Sequence, residues 1–436
     1  MDASDRGELL RGHVFHTPEN PFSQDRALAC YWDGALLIRH GRVAACGEYT
    51  ALRAAHPEAA ELPLSDGFVL PGFVDTHVHF PQLHVLGNLG LTLLDWLEQC
   101  ALPEEERMAD EAYARIVACG FVRALASHGT TTAQAFGAHF HRATEALFEA
   151  AEKSGLRLIA GLVLSDRRLR PALHQTPQQA YDASSALIRR FHQRGRLLYA
   201  VTPRFALSAS EAILEICQTL LRENEGLRAQ THLNENPAEI AEVARLFPWA
   251  PDYFAVYERF GLSGPNVVMA HNLHPSAFEL SRLAATRTSV AHCPWSNAAL
   301  GSGLFPLRRH LSAGVRLALG TDVGAGGGFG IAKEALQAYL LQRIAPDGFV
   351  LGPSHLLYLA TRAGAEALGL AGEIGDFQIG KAADFVYLRP PEDSPLAAVV
   401  SQAESPEKAL SALFTLAGQE SIAEVRVAGS VVYHRG

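Results

Sequence analysis

The sequence predicts an α/β fold, a (β/α)8 TIM barrel carrying a small β-sandwich domain formed by both termini. Three observations predict it. The middle of the 436-residue chain alternates eight short apolar runs with amphipathic stretches. Both ends carry β patterning without that alternation. Glycine- and proline-rich punctuation at 67–72 and 372–380 separates ends from middle. The expected division is 1–68 for the N-terminal part of the sandwich, 69–370 for the barrel and 371–436 for the C-terminal part.

The elements follow in chain order. Residues 35–46 hold two apolar runs around His40-Gly41, a tight hairpin. The barrel strands are expected at 73–78, 131–136, 157–163, 197–202, 228–233, 267–270, 289–293 and 316–319. Helical periodicity lies between most of them, for example at 112–127, 178–193 and 209–222. Strands joined by helical crossovers make a parallel sheet, and eight of them close a barrel. Phe385 to Leu388 reads as a strand, and Val425 to Val427 with Val431 to Tyr433 flank Ala428-Gly429-Ser430 as a last hairpin.

Composition bounds the function. Apolar content of 48 % and charged content of 19 % are those of a globular enzyme. A net charge of −9 argues against a nucleic-acid surface, which needs clustered Lys and Arg. The first residues are charged and do not read as a secretory signal, and no apolar run is long enough to span a bilayer. Cys30, Cys46, Cys100, Cys119, Cys217 and Cys293 are scattered without a Cys-x-x-Cys pair. Neither a disulfide framework nor a thiolate zinc site is indicated, and a cytoplasmic location with reduced thiols is expected.

In such a barrel, reacting groups sit at the C-terminal ends of strands. Five polar residues fall there. His77 and His79 close the first strand, and alternation puts both imidazoles on one face. His232 ends the fifth strand, His271 the sixth, and Asp322 follows the eighth. Four imidazoles and a carboxylate suit zinc, with iron as a substitute. A lone His-x-His pair is weak evidence, as His139-Phe140-His141 shows: the spacing is the same, but the pair precedes a helix without later partners and reads as solvated. The coincidence of one His-x-His pair and three further ligand residues, all at strand ends, is what carries weight. Zinc lowers the pKa of a bound water, but deamination also needs a proton shuttle. Glu235, three residues after His232 at the opening of a helix, fits that role better than a simple interaction with the helix dipole. Asp322 would bind the metal and take the first proton.

At this point the residues resemble a known family. Pro71 to His79, then His232, His271 and Gly320-Thr321-Asp322, are similar to the amidohydrolase superfamily, metal-dependent barrels with a sandwich made from both termini. Further segments resemble guanine deaminases: Thr76-His77-Val78-His79-Phe80-Pro81-Gln82, Leu94-Asp95-Trp96-Leu97, His128-Gly129-Thr130-Thr131-Thr132, Thr202-Pro203-Arg204-Phe205-Ala206-Leu207-Ser208 and Ala291-His292-Cys293-Pro294. The resemblance implies one zinc per subunit on His77, His79, His232, His271 and Asp322, with Glu235, Asp322 and His271 as the catalytic set. It implies that Gln82, Arg204 and Phe205, with His232 and Glu235, hold the purine. It also implies a homodimer acting on a small purine, hydrolysing guanine to xanthine and ammonia. These residue types make chemical sense. An amide donates and accepts at once, arginine donates to a carbonyl, and a phenylalanine face stacks on a base.

Two departures stand out. The run Asn234-Glu235-Asn236-Pro237 has Asn before the glutamate, where relatives commonly have Ser or Ala, and a proline after it; Pro237 suits an early helical position, so Glu235 keeps its place. The loop 324–330 is unusually rich in glycine. His292, on the seventh strand, reads as a hydrogen-bonding or core histidine rather than a ligand. Two rivals remain: a deaminase of another amino-heterocycle (a triazine, 8-oxoguanine or an adenine-type ring), and a non-catalytic barrel that only binds. Nucleic-acid deaminases use His-x-Glu with Pro-Cys-x-x-Cys, which this chain lacks.

Overall fold

The computed structural model describes residues 6–436. The chain starts in a small sheet, with β1 (Glu8–His16), β2 (Ala29–Arg39), β3 (Arg42–Glu48) and β4 (Ala60–Pro71). It then enters the barrel through β5 (Phe73–His79), β6 (Thr130–Phe136), β7 (Arg157–Gly161), β8 (Val163–Leu164), β9 (Leu197–Pro203), β10 (Arg228–Leu233), β11 (Val267–His271), β12 (Ser289–His292) and β13 (Arg316–Leu319). It returns to the small sheet with β14 (Phe385–Leu388), β15 (Ile422–Val427) and β16 (Ser430–His434). The seven end strands run in the order β16-β15-β14-β4-β1-β2-β3, so both termini build one mixed sheet.

Turn chemistry explains the two hairpins. His40 and Gly41 both lie at positive φ (49° and 72°), as do Ala428 and Gly429 (47° and 75°). Two-residue loops with both φ values positive match the twist of the flanking strands. The two tips meet over Ala383, whose N–H donates to Gly41 O and whose carbonyl accepts from Gly429 N–H. A Cβ on Gly41 would lie 2.5 Å from Ala428 O, so the junction admits no side chain there.

The barrel strands pair in parallel in the order β13-β12-β11-β10-β9-β7-β6-β5. The first and last strands meet through side chain and backbone: Thr76 Oγ1 donates to Leu319 O at 2.7 Å, and Asp322 N–H donates to His77 O at 2.9 Å. All seven residues of β5 are buried, as expected of a strand covered on both faces. The third strand differs from its expected span of 157–163. It breaks at Leu162, whose N–H donates to the Tyr199 hydroxyl, and resumes against β9 as β8. Capping sets the helix starts. Asp110 caps Glu111–Ser127, Thr176 and Gln179 form a capping box on Pro177–Phe191, and Ser210 caps Glu211–Glu223. Two helices unread from sequence, Pro395–Val400 and Pro406–Leu416, interrupt the C-terminal strands. They place Leu396, Leu410, Leu413 and Phe414 in the main apolar core.

Candidate active site

The strand ends bring all five expected ligands together. His77 Nε2 lies 3.2 Å from His79 Nε2, which lies 3.2 Å from His232 Nε2. Asp322 Oδ1 is 3.3 Å from both His77 Nε2 and His79 Nε2. His271 Nε2 is 3.9 Å from Asp322 Oδ2, is buried, and has no hydrogen-bond partner. Three ring nitrogens facing one another in this way cannot all be hydrogen-bonded. Donors about 2.1 Å from a shared cation stand roughly 3–3.5 Å apart, so the spacing and the orphaned nitrogen both fit a divalent metal. Cys293 lies close enough to join His77, His271 and Asp322. Its Sγ instead donates to Ala291 O at 3.7 Å.

Two of the candidate ligands are aimed by a second bond. His232 Nδ1 donates to Arg204 O at 2.6 Å, and His271 Nδ1 donates to Asn297 Oδ1 at 2.9 Å, which leaves the Nε2 lone pairs facing inward. The buried Asp75 carboxylate accepts from the His77 and Thr321 N–H groups and from Thr321 Oγ1. It thereby ties β5 to the segment bearing Asp322. Asn234, His271, Asn272 and Asp322 all sit at positive φ, between 48° and 72°. Non-glycine residues rarely adopt that conformation, and its concentration at three strand ends marks a site held by its surroundings. Burial lowers the pKa of His77, His79 and His232, keeping the imidazoles in the neutral, ligating form. Burial alone would raise the Asp322 carboxyl, but His77 and His79 hold it well below its usual range.

Glu235 lies beside this cluster, its Oε2 3.5 Å from His271 Nε2. Burial, then Asp322, pushes its carboxyl well above the usual range. The local sequence explains its position. Asn236 is the N-cap of helix Pro237–Leu246, with Pro237 in the first turn as expected, and Glu239 completes the capping box. Glu239 Oε2 also accepts from the Glu235 N–H, and Glu239 Oε1 accepts from the Tyr253 hydroxyl. Glu235 therefore rests on a buried, fully bonded carboxylate.

Gln82, Arg204 and Phe205 line the same region. Phe205 packs 5.9 Å from the His232 ring and borders a cavity of about 360 Å3 with Leu97, Leu102 and Leu207. Gln82 Nε2 and Arg204 Nη1 both donate to Glu105 Oε1, at 2.8 and 2.6 Å. Glu105 was not anticipated. It sits in Pro103-Glu104-Glu105-Glu106-Arg107, which reads as a solvated charge run, yet it is 1 % exposed. A second correction concerns His139. It is not solvated: it is 4 % exposed, with Nδ1 3.3 Å from Glu105 Oε2, while His141 stays half-buried. His139 closes the segment after β6, a strand end like the others, which is the signal that could have found it. His292 stacks on Phe305 at 4.2 Å, within a His292–Phe305–His310 column, and its Nδ1 lies 3.5 Å from Nδ2 of Asn297, the residue that also holds His271. The glycine-rich loop packs closely: a Cβ on Gly324 would lie 2.5 Å from Gln82 O, and one on Gly327 would enter the Trp295 ring.

Residues 68–432 match the Amidohydrolase family, and residues 34–59 match a bacterial imidazolonepropionase-like composite domain. A Deinococcus radiodurans protein named as a probable guanine deaminase is 54 % identical over 98 % of this chain and 99 % of its own length. The guanine deaminase of Escherichia coli is 39 % identical over 99 % of this chain and 97 % of its own. The solved E. coli guanine deaminase superposes with a TM-score of 0.95 at 38 % identity, over 98 % of this chain and 100 % of that one. The Clostridium (C. acetobutylicum) guanine deaminase solved with bound guanine in the active site superposes at 0.90 with 25 % identity, over 98 % and 100 %. The chain therefore belongs to the amidohydrolase family, within the group of relatives named guanine deaminases, hydrolases acting on C–N bonds.

Proposed function

We propose that the protein hydrolyses guanine to xanthine and ammonia, with one zinc ion held by His77, His79, His232, His271 and Asp322. The observation that carries the reading is the convergence of those five donors with the buried Glu235 beside them, next to Arg204 and Phe205, which bond and pack on His232. A cation bound there supplies Lewis acidity, which makes water a nucleophile at neutral pH. Asp322, kept ionised, accepts the proton that the water releases as it adds to the carbon bearing the amino group. Glu235 gives its proton to the neighbouring ring nitrogen and then carries the one held by Asp322 to the amine; as the C–N bond breaks and ammonia leaves, the added hydroxyl becomes the carbonyl and returns its proton to Glu235. His271, 3.5 Å from Glu235, keeps the shuttle beside the cation. Phe205 offers a face for the ring. Gln82 and Arg204 offer donors for the ring edge and the carbonyl, and one arginine N–H pair suits a carbonyl better than a lysine would. The four-imidazole set suits zinc, with iron(II), which binds such donors less tightly, as the substitute. The enzyme is read as a cytoplasmic homodimer, a location compatible with the lack of any membrane-length apolar helix among the described residues.

The test is a panel of guanine, 8-oxoguanine, an aminotriazine and adenine, with ammonia release followed and metal quantified on the same sample. Guanine is expected to be turned over fastest, with about one zinc per chain. Faster turnover of another ring would overturn the substrate, and absence of bound metal would overturn the chemistry. Glu235→Gln is expected to retain the metal and lose kcat by about 100- to 10,000-fold, the usual worth of a positioned acid–base group.

A further inference from the structure

We propose that Glu105, backed by His139, is the positioning residue of the base-holding pocket. It fixes the donor pattern of Gln82 and Arg204 and sets the pocket's preference for an uncharged ring. The inference rests on the guanine reading above and names how the same site recognises its substrate.

Four observations carry it. First, Glu105 Oε1 receives hydrogen bonds from both side chains expected to touch the purine, Gln82 Nε2 at 2.8 Å and Arg204 Nη1 at 2.6 Å. Second, the far end of the Gln82 amide is also fixed, because its Oε1 accepts from Gly324 N–H at 3.1 Å. A flipped amide would set its oxygen against the carboxylate and its NH2 against the Gly324 N–H, so only one orientation is compatible with both neighbours. That orientation leaves one N–H of Gln82 for a ligand. Third, Arg204 is 3 % exposed, and a buried guanidinium without a counter-charge is costly. Glu105 supplies that charge, and Arg204 and His139 hold its carboxyl below the usual range although burial works to raise it. The pocket thus presents cationic donors on a neutral ion pair, which suits an uncharged purine and disfavours an anion. Fourth, Glu105 is itself braced. Its Oε2 lies 3.3 Å from His139 Nδ1, and His139 Nε2 lies 3.3 Å from Ser165 Oγ. Ser165 meets Ser208 at 3.1 Å, and Ser208 donates to Phe205 O at 3.4 Å. A run of close polar contacts therefore reaches from Gln82, after β5, to Arg204 and Phe205, which both follow β9.

The experiment compares wild type with Glu105→Gln, measuring metal content, KM and kcat for guanine, and inhibition by two unreactive purines, neutral hypoxanthine and anionic urate. Glu105→Gln is expected to keep its zinc, to raise KM for guanine at least tenfold and to weaken hypoxanthine by a similar factor. Urate inhibition is expected to hold or strengthen, because an uncompensated Arg204 welcomes an anion. That change of preference is something a merely structural role would not produce. A KM and a hypoxanthine constant within twofold of wild type would overturn the proposal. Should Glu105→Gln fail to fold, His139→Gln decides. It is expected to raise KM three- to tenfold with zinc retained, and an unchanged KM overturns the proposal. A wild-type enzyme inactive on guanine overturns the substrate reading instead. The same comparison on whichever ring releases ammonia then decides Glu105, since an unchanged KM for that ring still overturns its role.

Discussion

His271 reaches the ligand cluster from a left-handed backbone position and is aimed by a single side-chain bond, from Nδ1 to Asn297 Oδ1. Asn297 itself sits in the short helix Pro294–Ala299, well away in sequence. Removing that bond leaves the imidazole free to rotate and to change tautomer. Asn297→Ala is therefore expected to weaken metal affinity 10- to 100-fold, the usual effect of losing a partner behind a metal-binding histidine. Chelator competition measures it, and unchanged affinity would show that packing alone orients His271. The cluster of five candidate donors was legible residue by residue because each stands at or just after a strand end, where alternation fixes the direction of its side chain. Glu105 was not, because its burial is decided by Arg204 and Gln82, which lie on other elements. Three consecutive glutamates say nothing about which of them turn inward, and both Glu104 and Glu105 do. His139 was misread for the same reason: its neighbour in space is Glu105, not anything near it in sequence.

At the scale of elements, periodicity and turn chemistry were readable, whereas interruptions imposed by neighbours were not. Both hairpins were visible because a positive φ at two successive residues calls for glycine. The break at Leu162 was invisible, since it depends on the Tyr199 hydroxyl and on Gly161, where a Cβ would lie 1.7 Å from Ala200 O. The loop after β13 shows what its glycines do. Gly326 N–H donates to Asp322 O at 2.7 Å, and a Cβ on Gly326 would lie 1.9 Å from Thr321 O. Backbone must move to admit it, and the nearest backbone carries Asp322. Gly326→Ala is expected to lower kcat/KM at least tenfold and to loosen the metal. Gly372→Ala, where an added Cβ meets nothing within 4 Å, is expected to leave both within twofold. Equal kinetics for the two variants would mean that the loop does not hold Asp322 in place.

At the scale of the molecule, the barrel and the two-ended sheet were both legible, while the C-terminal helices that cover the barrel were not, since their apolar faces match surfaces assembled only in the fold. The assembled core encloses histidines that no metal claims. Burial lowers His16 and His310 to about 4 and His292 to about 3. Buried carboxyls such as Asp75, raised by burial to about 7, and Glu334, also raised by burial, titrate in the opposite sense, so the total slope with pH hides each group. A difference between variants isolates one. His310 donates from Nδ1 to Pro306 O and accepts at Nε2 from Asn272, both as a neutral ring. Its folded pKa lies below the unfolded value near 6.5, so between about pH 4 and pH 6.5 the unfolded chain binds a proton that the folded chain refuses. Its neutral form is therefore fully compatible with the fold above that window, and stability is lost as pH falls through it. Replacement by a residue that does not titrate removes this loss. His310→Gln is expected to be less stable than wild type at pH 7, where its packing on Phe305 is lost. That deficit is expected to shrink by about 2 kcal/mol at pH 5. Denaturant unfolding of both proteins at the two pH values measures it, and a deficit independent of pH would mean that His310 takes up its proton inside the fold.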